Sequence, residues 1–432
     1  MADVPFGVRV TAAEVAFVRR PFLKPLRLAS GEITEITEAR ATVTVETGDG
    51  RSATGHGAIY LSDLWAWPDP NLPSAERDAA MRAYCEVVAK TLPQRTGSGG
   101  AVHPLEAGLR LHATVQEDGM DGGAPMPTLA RLVSTSPLDA AIHDAAGRAF
   151  GVSAFALYGQ DAPAPSADVQ FPEDGGAVAA VRAMLRATPA PALDATLVVG
   201  KGDDLAEMDS WVRERGYWSF KLKVGGTDPT EDAARVAAVY RHALSLGCAA
   251  PRLSVDSNCF SPDADTVARF LDVLEALDGD AYAALEAVEQ PTGRDIRTHA
   301  FDWHAVAARK PLLLDEGLID FDALRLAAEQ GWNGLAVKTC RGHSFSLATA
   351  AWAHRRGWKL TVMDLTNPGI SAVHSALVGA HLPGVDAIEM NAVQYTPAAN
   401  ADLLPRLAPL LAPADGTHRL PSPAPVGLGS AL

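Results

Sequence analysis

The side chains best suited to chemistry in this 432-residue chain are charges that close short apolar runs. Phe220-Lys221-Leu222-Lys223, Ser254-Val255-Asp256, Ala287-Val288-Glu289, Leu313-Leu314-Asp315, Ala336-Val337-Lys338 and Val362-Met363-Asp364 share this form. Asp256, Glu289 and Asp315 fall on successive runs. Neighbouring strands lie roughly 4.7–4.9 Å apart, and carboxylates that close repel unless a cation sits among them. Hard oxygen donors on a rigid rim suit Mg²⁺, with Mn²⁺ as the alternative. Lys223 and Lys338 flank the trio in chain order. A lysine beside a second cation or a metal ion has its pKa lowered and works as a general base near neutral pH. Lys221, two residues before Lys223 on the same strand face, supplies that second charge. Each group also has a plain structural reading, a carboxylate capping the next helix or lysines neutralising acids. That reading accounts for the charges singly but not for their ordered series.

The elements that must hold these residues follow from the pattern around them. From about Ala192 onward, short apolar runs alternate with amphipathic helical patterns. The expected strands are Ala195–Val199, Ser219–Lys223, Arg252–Asp256, Ala284–Glu289, Leu312–Asp315, Gly334–Lys338, Lys359–Met363 and Ala387–Glu389. Strand–helix alternation means parallel strands joined by crossovers. Eight strands suit a closed (β/α) barrel, whose C-terminal face carries the active site. A doubly wound open sheet is the alternative, but no Gly-x-Gly-x-x-Gly follows the first strand. The earlier residues read differently. Glu38–Glu46 alternates as a strand, Thr47–Gly50 turns, and residues 51–59 complete a hairpin. Helical patterns cover Ala75–Leu92, Leu105–Val115 and Ser136–Gly151, the last expected to start at Ser136-Pro137 and stop at Gly151. A Gly/Pro-rich loop, Gly119–Pro127, precedes it. The division expected is an α+β unit over residues 1–150, a barrel over 151–390 and a closing segment over 391–432.

Composition narrows the classes. Hydrophobic residues at 47% and charged residues at 21% exclude a disordered, collagen-like or coiled-coil chain. The net charge of −15 argues against a nucleic-acid partner. Cys85, Cys248, Cys259 and Cys340 form no Cys-x-x-Cys pair, so neither a disulfide framework nor a zinc site is expected. No run suits a signal peptide or a membrane span. A cytoplasmic protein with a small-molecule partner is expected, and the apolar tail is compatible with a homo-oligomer.

The series Lys221-x-Lys223, Asp256, Glu289-Gln290-Pro291, Asp315-Glu316 and Lys338 resembles the enolase superfamily. Within the mandelate racemase/muconate lactonizing enzyme family it is most similar to the muconate lactonizing branch. Leu138–Arg148 is similar to the helix that precedes the barrel there, and Pro425–Gly429 to the tail's return onto a capping domain. The likeness runs from about residue 38 to the end. It implies an α/β fold: a modified (β/α)8, (β/α)7β-like barrel of TIM type, under an N-terminal α+β capping domain. It also implies that Asp256, Glu289 and Asp315 ligate Mg²⁺, that Lys223 and Lys338 are acid and base on opposite substrate faces, and that Asn258, Glu316 and Gln290 support them. The family's shared step removes the proton α to a carboxylate, giving an enediolate. Specificity would come from cap loops around Pro21–Gly31 and Gly57–Trp67, with Trp65 and Trp67 lining the pocket or packing between domains. Dipeptide epimerases of this branch carry Asp-x-Asp at the eighth strand, where this chain has Glu389-Met390-Asn391. Asp364 is an extra acid that binds a substrate cation or hydroxyl, or caps the helix near Gly369. Asp364, Glu389 and Asn258 are thus the candidate substrate-binding residues; His299, His304 and His343 read as structural.

The activity expected is a racemase or epimerase acting on a small carboxylate. An acid-sugar or hydroxy-acid dehydratase and a cycloisomerase are alternatives on the same site. From other classes, a Schiff-base aldolase and a non-catalytic barrel are the rivals.

Overall fold

The computed structural model describes residues 4–28, 31–97, 99–118 and 126–432. The expected hairpin is present as β2 (Gly31–Thr47) and β3 (Ser52–Tyr60), antiparallel, with Val43 opposite Gly55. Its turn is closed by Thr47 N to Arg51 O at 2.9 Å and by Gly50 at φ +83°. A further strand, β1 (Val8–Leu28), pairs along β2. It is concealed in the sequence because the register shifts between Val10 and Ala12 and again between Pro21 and Leu26. A shift of one residue swaps the faces of every later side chain and breaks the alternation that marks a strand.

Among the described residues, three long helices accompany this sheet: α1 (Ser74–Thr96), α2 (Pro104–Glu117) and α3 (Thr128–Phe150). The expected start of α3 at Ser136-Pro137 is corrected, because Pro137 lies inside the helix. Proline leaves the carbonyl four residues back without its usual donor. Here Ser136 Oγ donates to that carbonyl, Val133 O, at 2.9 Å. Gly151, left-handed at φ +68°, ends the helix as expected. Residues 119–125 of the expected Gly/Pro loop lie outside the described residues. The helix packs on β3 through two glycines. A Cβ at Gly55 would stand 2.1 Å from Ala145 N, and one at Gly57 2.1 Å from Pro137 O.

The second unit is a closed barrel of eight parallel strands: β4 (Ala192–Val199), β5 (Ser219–Lys223), β6 (Arg252–Asp256), β7 (Leu285–Glu289), β8 (Leu312–Leu314), β9 (Gly334–Val337), β10 (Lys359–Met363) and β11 (Ala387–Glu389). Each pairs with the next, and β11 pairs with β4 to close the ring. A short strand, β12 (Thr417–Arg419), runs antiparallel to the start of β4. The fold is thus a modified TIM barrel with an N-terminal capping domain. The chain end returns to α3, where Asp144 Oδ1 accepts from Leu428 N at 2.8 Å. Asp139 of α3 accepts from both Ser344 N and Ser344 Oγ at 2.8 Å, tying the cap to the barrel. No helix among the described residues is long and apolar enough to cross a membrane.

Candidate active site

Strand register sets out the mouth. Lys223 of β5 lies beside Asp256 of β6, which lies beside Glu289 of β7. Asp315 and Lys338 follow the last residues of β8 and β9. Asp256, Glu289 and Asp315 are at most 1% exposed. Lys221 Nζ is 2.7 Å from Glu289 Oε2, 3.1 Å from Glu389 Oε2 and 3.2 Å from Asp256 Oδ2. Lys223 Nζ is 2.5 Å from Asp256 Oδ2, and Lys338 Nζ is 2.6 Å from Asp315 Oδ2. The two flanking amines therefore end on different outer carboxylates, with Lys221 between them.

At Lys338 this geometry reverses the expected lowering of the lysine pKa. Burial presses the Lys221 and Lys338 ammonium groups down, but Glu289, Glu389 and Asp256 around the first, and Asp315 and Glu289 around the second, outweigh it. Both are held above the ordinary lysine range. Burial likewise raises Asp256 and Asp315, yet Lys223 and Lys221 beside the former, and Lys338 and Arg341 beside the latter, keep both below the usual carboxylate range. Glu289 goes the other way: burial, then the Asp256 charge, push it well up. The mouth holds its negative charge unevenly.

The supporting residues explain the rigidity. Asn258, at φ +47°, donates from its backbone N to Asp256 Oδ1 at 2.7 Å and from Nδ2 to Oδ2 at 3.2 Å. It faces Asp256 and a neighbouring cleft, not the cavity of Asp364 and Glu389. Gln290 Oε1 accepts from Asp315 N and Gly317 N, fixing the turn after β8. Arg341, missed in the sequence, ion-pairs with Asp315 Oδ1 from a tight turn just past Lys338. Only its three-residue distance from Lys338 hints at this. Glu316 is 2% exposed, and neither of its carboxylate oxygens has a hydrogen-bond partner.

A narrow cavity of about 40 Å³ lies between cap and mouth. Lys221, Lys223, Lys338, Asp364, Glu389 and Asn391 border it from the barrel. Phe22, Leu26, Ile33, Ile36, Ser62 and Trp65 border it from the cap. Lys338 Nζ stands 4.6 Å from the Trp65 ring centroid, a cation–π contact. The expected Pro21–Gly31 region thus contributes Phe22 and Leu26 from within β1, its Ala29 and Ser30 lying outside the described residues. Trp67 does not reach the cavity and packs in the cap core. Asp364 does not cap the helix Gly369–His381. Gly369 N donates instead to Asn400 Oδ1 at 2.7 Å, and Asp364 Oδ1 accepts from Thr366 N. His343 is fully buried against His374, and His299 and His304 make local contacts with Asp295 O and Asp302 Oδ1.

The donor set suits a hard divalent cation. Six buried carboxylates (Asp256, Glu289, Asp315, Glu316, Asp364, Glu389) face three buried cationic side chains (Lys221, Lys338, Arg341) and the partly buried Lys223, with Arg294 3.9 Å from Glu316 at the margin. Lys223 is the most exposed of these, with 11% of its side chain open. Glu289 Oε2 is buried and, beyond its ion pair with Lys221, makes no hydrogen bond. The lysine ammonium groups stand between the three central carboxylates, and among the described residues no three Asp, Glu, His or Cys side chains converge as a ready ligand set. An ion would enter by displacing these ammonium contacts.

The family model described as enolase C-terminal domain-like matches residues 203–432, more than half of the chain. The chain belongs to the enolase superfamily. Its place is in the mandelate racemase/muconate lactonizing enzyme branch. No curated protein matches it in sequence. Among solved structures it is similar to a muconate lactonizing enzyme from Pseudomonas fluorescens complexed with muconolactone, at 19% identity and TM-score 0.64, covering 98% of this chain and 96% of that one. It is also similar to a dipeptide epimerase from Enterococcus faecalis complexed with Mg and L-Leu-L-Tyr, at 18% identity and TM-score 0.63, covering 98% and 99%. A third is an N-succinyl Arg/Lys racemase from Bacillus cereus, at 18% identity and TM-score 0.62, covering 98% and 95%.

Proposed function

We propose that this enolase-superfamily protein removes the proton α to a substrate carboxylate and returns a proton to the opposite face, as a racemase or epimerase. The observation that carries this reading is the separation of the two flanking amines: Lys223 on Asp256 and Lys338 on Asp315, both bordering one cavity. Bases on two sides of one carbon permit inversion there. Asp256, Glu289 and Asp315 would hold Mg²⁺, as the magnesium-complexed relatives and the oxygen-only donor set support. When bound, the ion supplies Lewis-acid stabilisation of the charge that builds on the substrate carboxylate, worth several kcal/mol.

The chain's own residues do the rest. With Asp256 and Asp315 engaged by the ion instead of by the amines, one lysine, no longer held cationic, would take the α-proton onto Nζ while the other, protonated, delivers from the far side. Lys221, held cationic by three carboxylates, keeps positive charge beside the developing enediolate. Trp65 and the apolar cap residues exclude water from the amines, which strengthens these interactions.

The test is incubation in D₂O with Mg²⁺ and a library of N-acyl amino acids, free amino acids, sugar acids and dipeptides, read as α-deuterium. Exchange in a subset, abolished by Lys223→Ala with Lys338→Ala, is the expected result. Exchange that survives the double substitution, or its absence with every acid, contradicts the proposal.

A further inference from the structure

We infer that Arg294 is a positioning residue for one of the two amines: it clamps the cap turn that carries Trp65, and Trp65 in turn sets the place of Lys338 Nζ. The inference rests on the proposed α-proton chemistry and deepens it at one base. Trp65 belongs to a single helical turn, Asp63–Ala66, on the cap side of the mouth. Arg294 reaches it from the barrel, just past Glu289-Gln290-Pro291, and donates from Nη1 to the Trp65 carbonyl. Arg294 Nη2 is 3.9 Å from Glu316 Oε1. One side chain thus spans from the cap to the residue beside Asp315.

The loop under Arg294 is firm. Gln290 ties it to the turn after β8 through Asp315 N and Gly317 N, and a Cβ at Gly317 would stand 3.0 Å from Arg294 O. The cap turn is also held at its start, where Arg77 Nε donates to Asp63 Oδ2 at 3.0 Å. Between these two holds, Trp65 borders two openings at once. One is the narrow cavity of the amines; the other is a cleft of about 470 Å³, lined also by Leu64, Pro68, Asn258, Phe260 and Arg294. Trp65 joins the cap core, but the cleft leaves it room to retreat. The hydrogen bond from Arg294 closes that way.

Lys338 is where the clamp acts. Its Nζ lies 2.6 Å from Asp315 Oδ2, 3.7 Å from Glu289 Oε1 and 4.6 Å from the centroid of the Trp65 ring. Both carboxylates belong to the proposed ion site, so the ring is the partner that Nζ keeps when they turn to the ion. As Lys338 takes a proton, positive charge grows on Nζ against the ring, whose face attracts a cation more strongly where water is excluded. A ring already in place needs no rearrangement to do so. Among the described residues, no ring lies over Lys223, and 11% of its side chain is open. The two amines are therefore unequal, and only Lys338 depends on Arg294.

The test follows each enantiomer separately in D₂O, on the full chain with Mg²⁺, using any acid of the library that exchanges. Arg294→Met and Trp65→Leu should each slow the enantiomer that Lys338→Ala silences by about tenfold, within the range of a cation–π contact, and leave the other within about twofold. Trp65→Phe keeps a ring and should retain most of the rate. The double variant Arg294→Met/Trp65→Leu should be no slower than Trp65→Leu, because the arginine acts through the indole. Equal slowing of both enantiomers, or losses that add, would overturn the inference and make Arg294 a structural residue. A second readout needs no turnover. In protein labelled with 5-fluorotryptophan, the fluorine resonance that Trp65→Phe removes should shift in Arg294→Met and in Lys338→Met, and stay in place in Lys223→Met. A resonance indifferent to Arg294→Met overturns the clamp. If no acid exchanges, the α-proton reading fails, and the clamp stands or falls on that resonance.

Discussion

At the floor of the barrel, Arg252 opens β6 by donating to both oxygens of Glu286 at 2.6 and 3.1 Å, and it reaches Asp194 at 3.1 Å and Asp386 at 2.9 Å. Lys359 stands 3.5 Å from Glu286. These side chains keep between 19% and 67% of their surface exposed, so water shares in their solvation. The mouth carries the same chemical types under different terms. Its carboxylates are closed off from water, outnumber their cations, and include oxygens with no partner at all. Floor charges bridge strands and are matched where they stand. Mouth charges are arranged for something that arrives. The same strands carry both sets, so the division of labour lies in which end of the strand a side chain occupies.

The contrast can be broken or sharpened by experiment, beginning with the largest expected effect. Lys223→Ala or Lys338→Ala should slow proton exchange of the substrate enantiomer that each faces by about 10²–10⁴-fold, with circular dichroism unchanged. A smaller loss in both would make the mouth lysines structural, like the charges of the floor.

Acid should reveal a third way to bury polarity, where the cap meets the barrel. Burial lowers His103 and His112 to about 4 and His374 to about 3. These rings are neutral when folded and titrate near 6.5 when unfolded. The unfolded chain therefore binds more protons below about 6.5, and stability falls as pH drops from there towards 4. Each ring contributes on the order of 3 kcal/mol once that range is crossed. Asp139, pushed up to about 6 by burial, works against this: its carboxyl costs stability as pH rises from its unfolded value through 6. Urea titrations at pH 7 and pH 5 should show the lower midpoint at pH 5. A flat profile would mean that these rings find partners when protonated.

Mg²⁺ should stabilise the folded chain through the mouth alone. At 100 times its dissociation constant the gain is about 2.7 kcal/mol, read as a rise in melting temperature that Glu289→Gln abolishes and Arg252→Met leaves intact. A shift that survives Glu289→Gln would place the ion elsewhere. The smallest effect belongs to the floor itself. Arg252→Met should cost roughly 1–2 kcal/mol by leaving its acids without their donor, with kcat/KM unchanged. A loss of activity at constant stability would show that the floor acts on the chemistry.

The barrel was legible because every strand but β4 is a short apolar run closed by a charge, a pattern that needs no long-range information. β5, β6, β10 and β11 have the expected limits. The cap was less so. β1 hides behind two register shifts and two prolines, and α3 contains a proline that reads as a start signal until Ser136 is seen to serve Val133 O. The central acids and lysines could be named from their places at strand ends. Arg341 could not, because its guanidinium reaches Asp315 only through a tight turn. Nor could the partnerless oxygens of Asp364 and Glu316, since absence of a partner exists only once the fold has closed around the side chain.

Exchange followed separately for each enantiomer of a substrate, in Lys223→Ala and in Lys338→Ala, probes the opposed amines most directly. Each variant should retain deuterium incorporation into one enantiomer only, and the two variants should retain opposite ones. Loss of the same enantiomer in both, or equal exchange of the two in either, would contradict a carbon held between two bases.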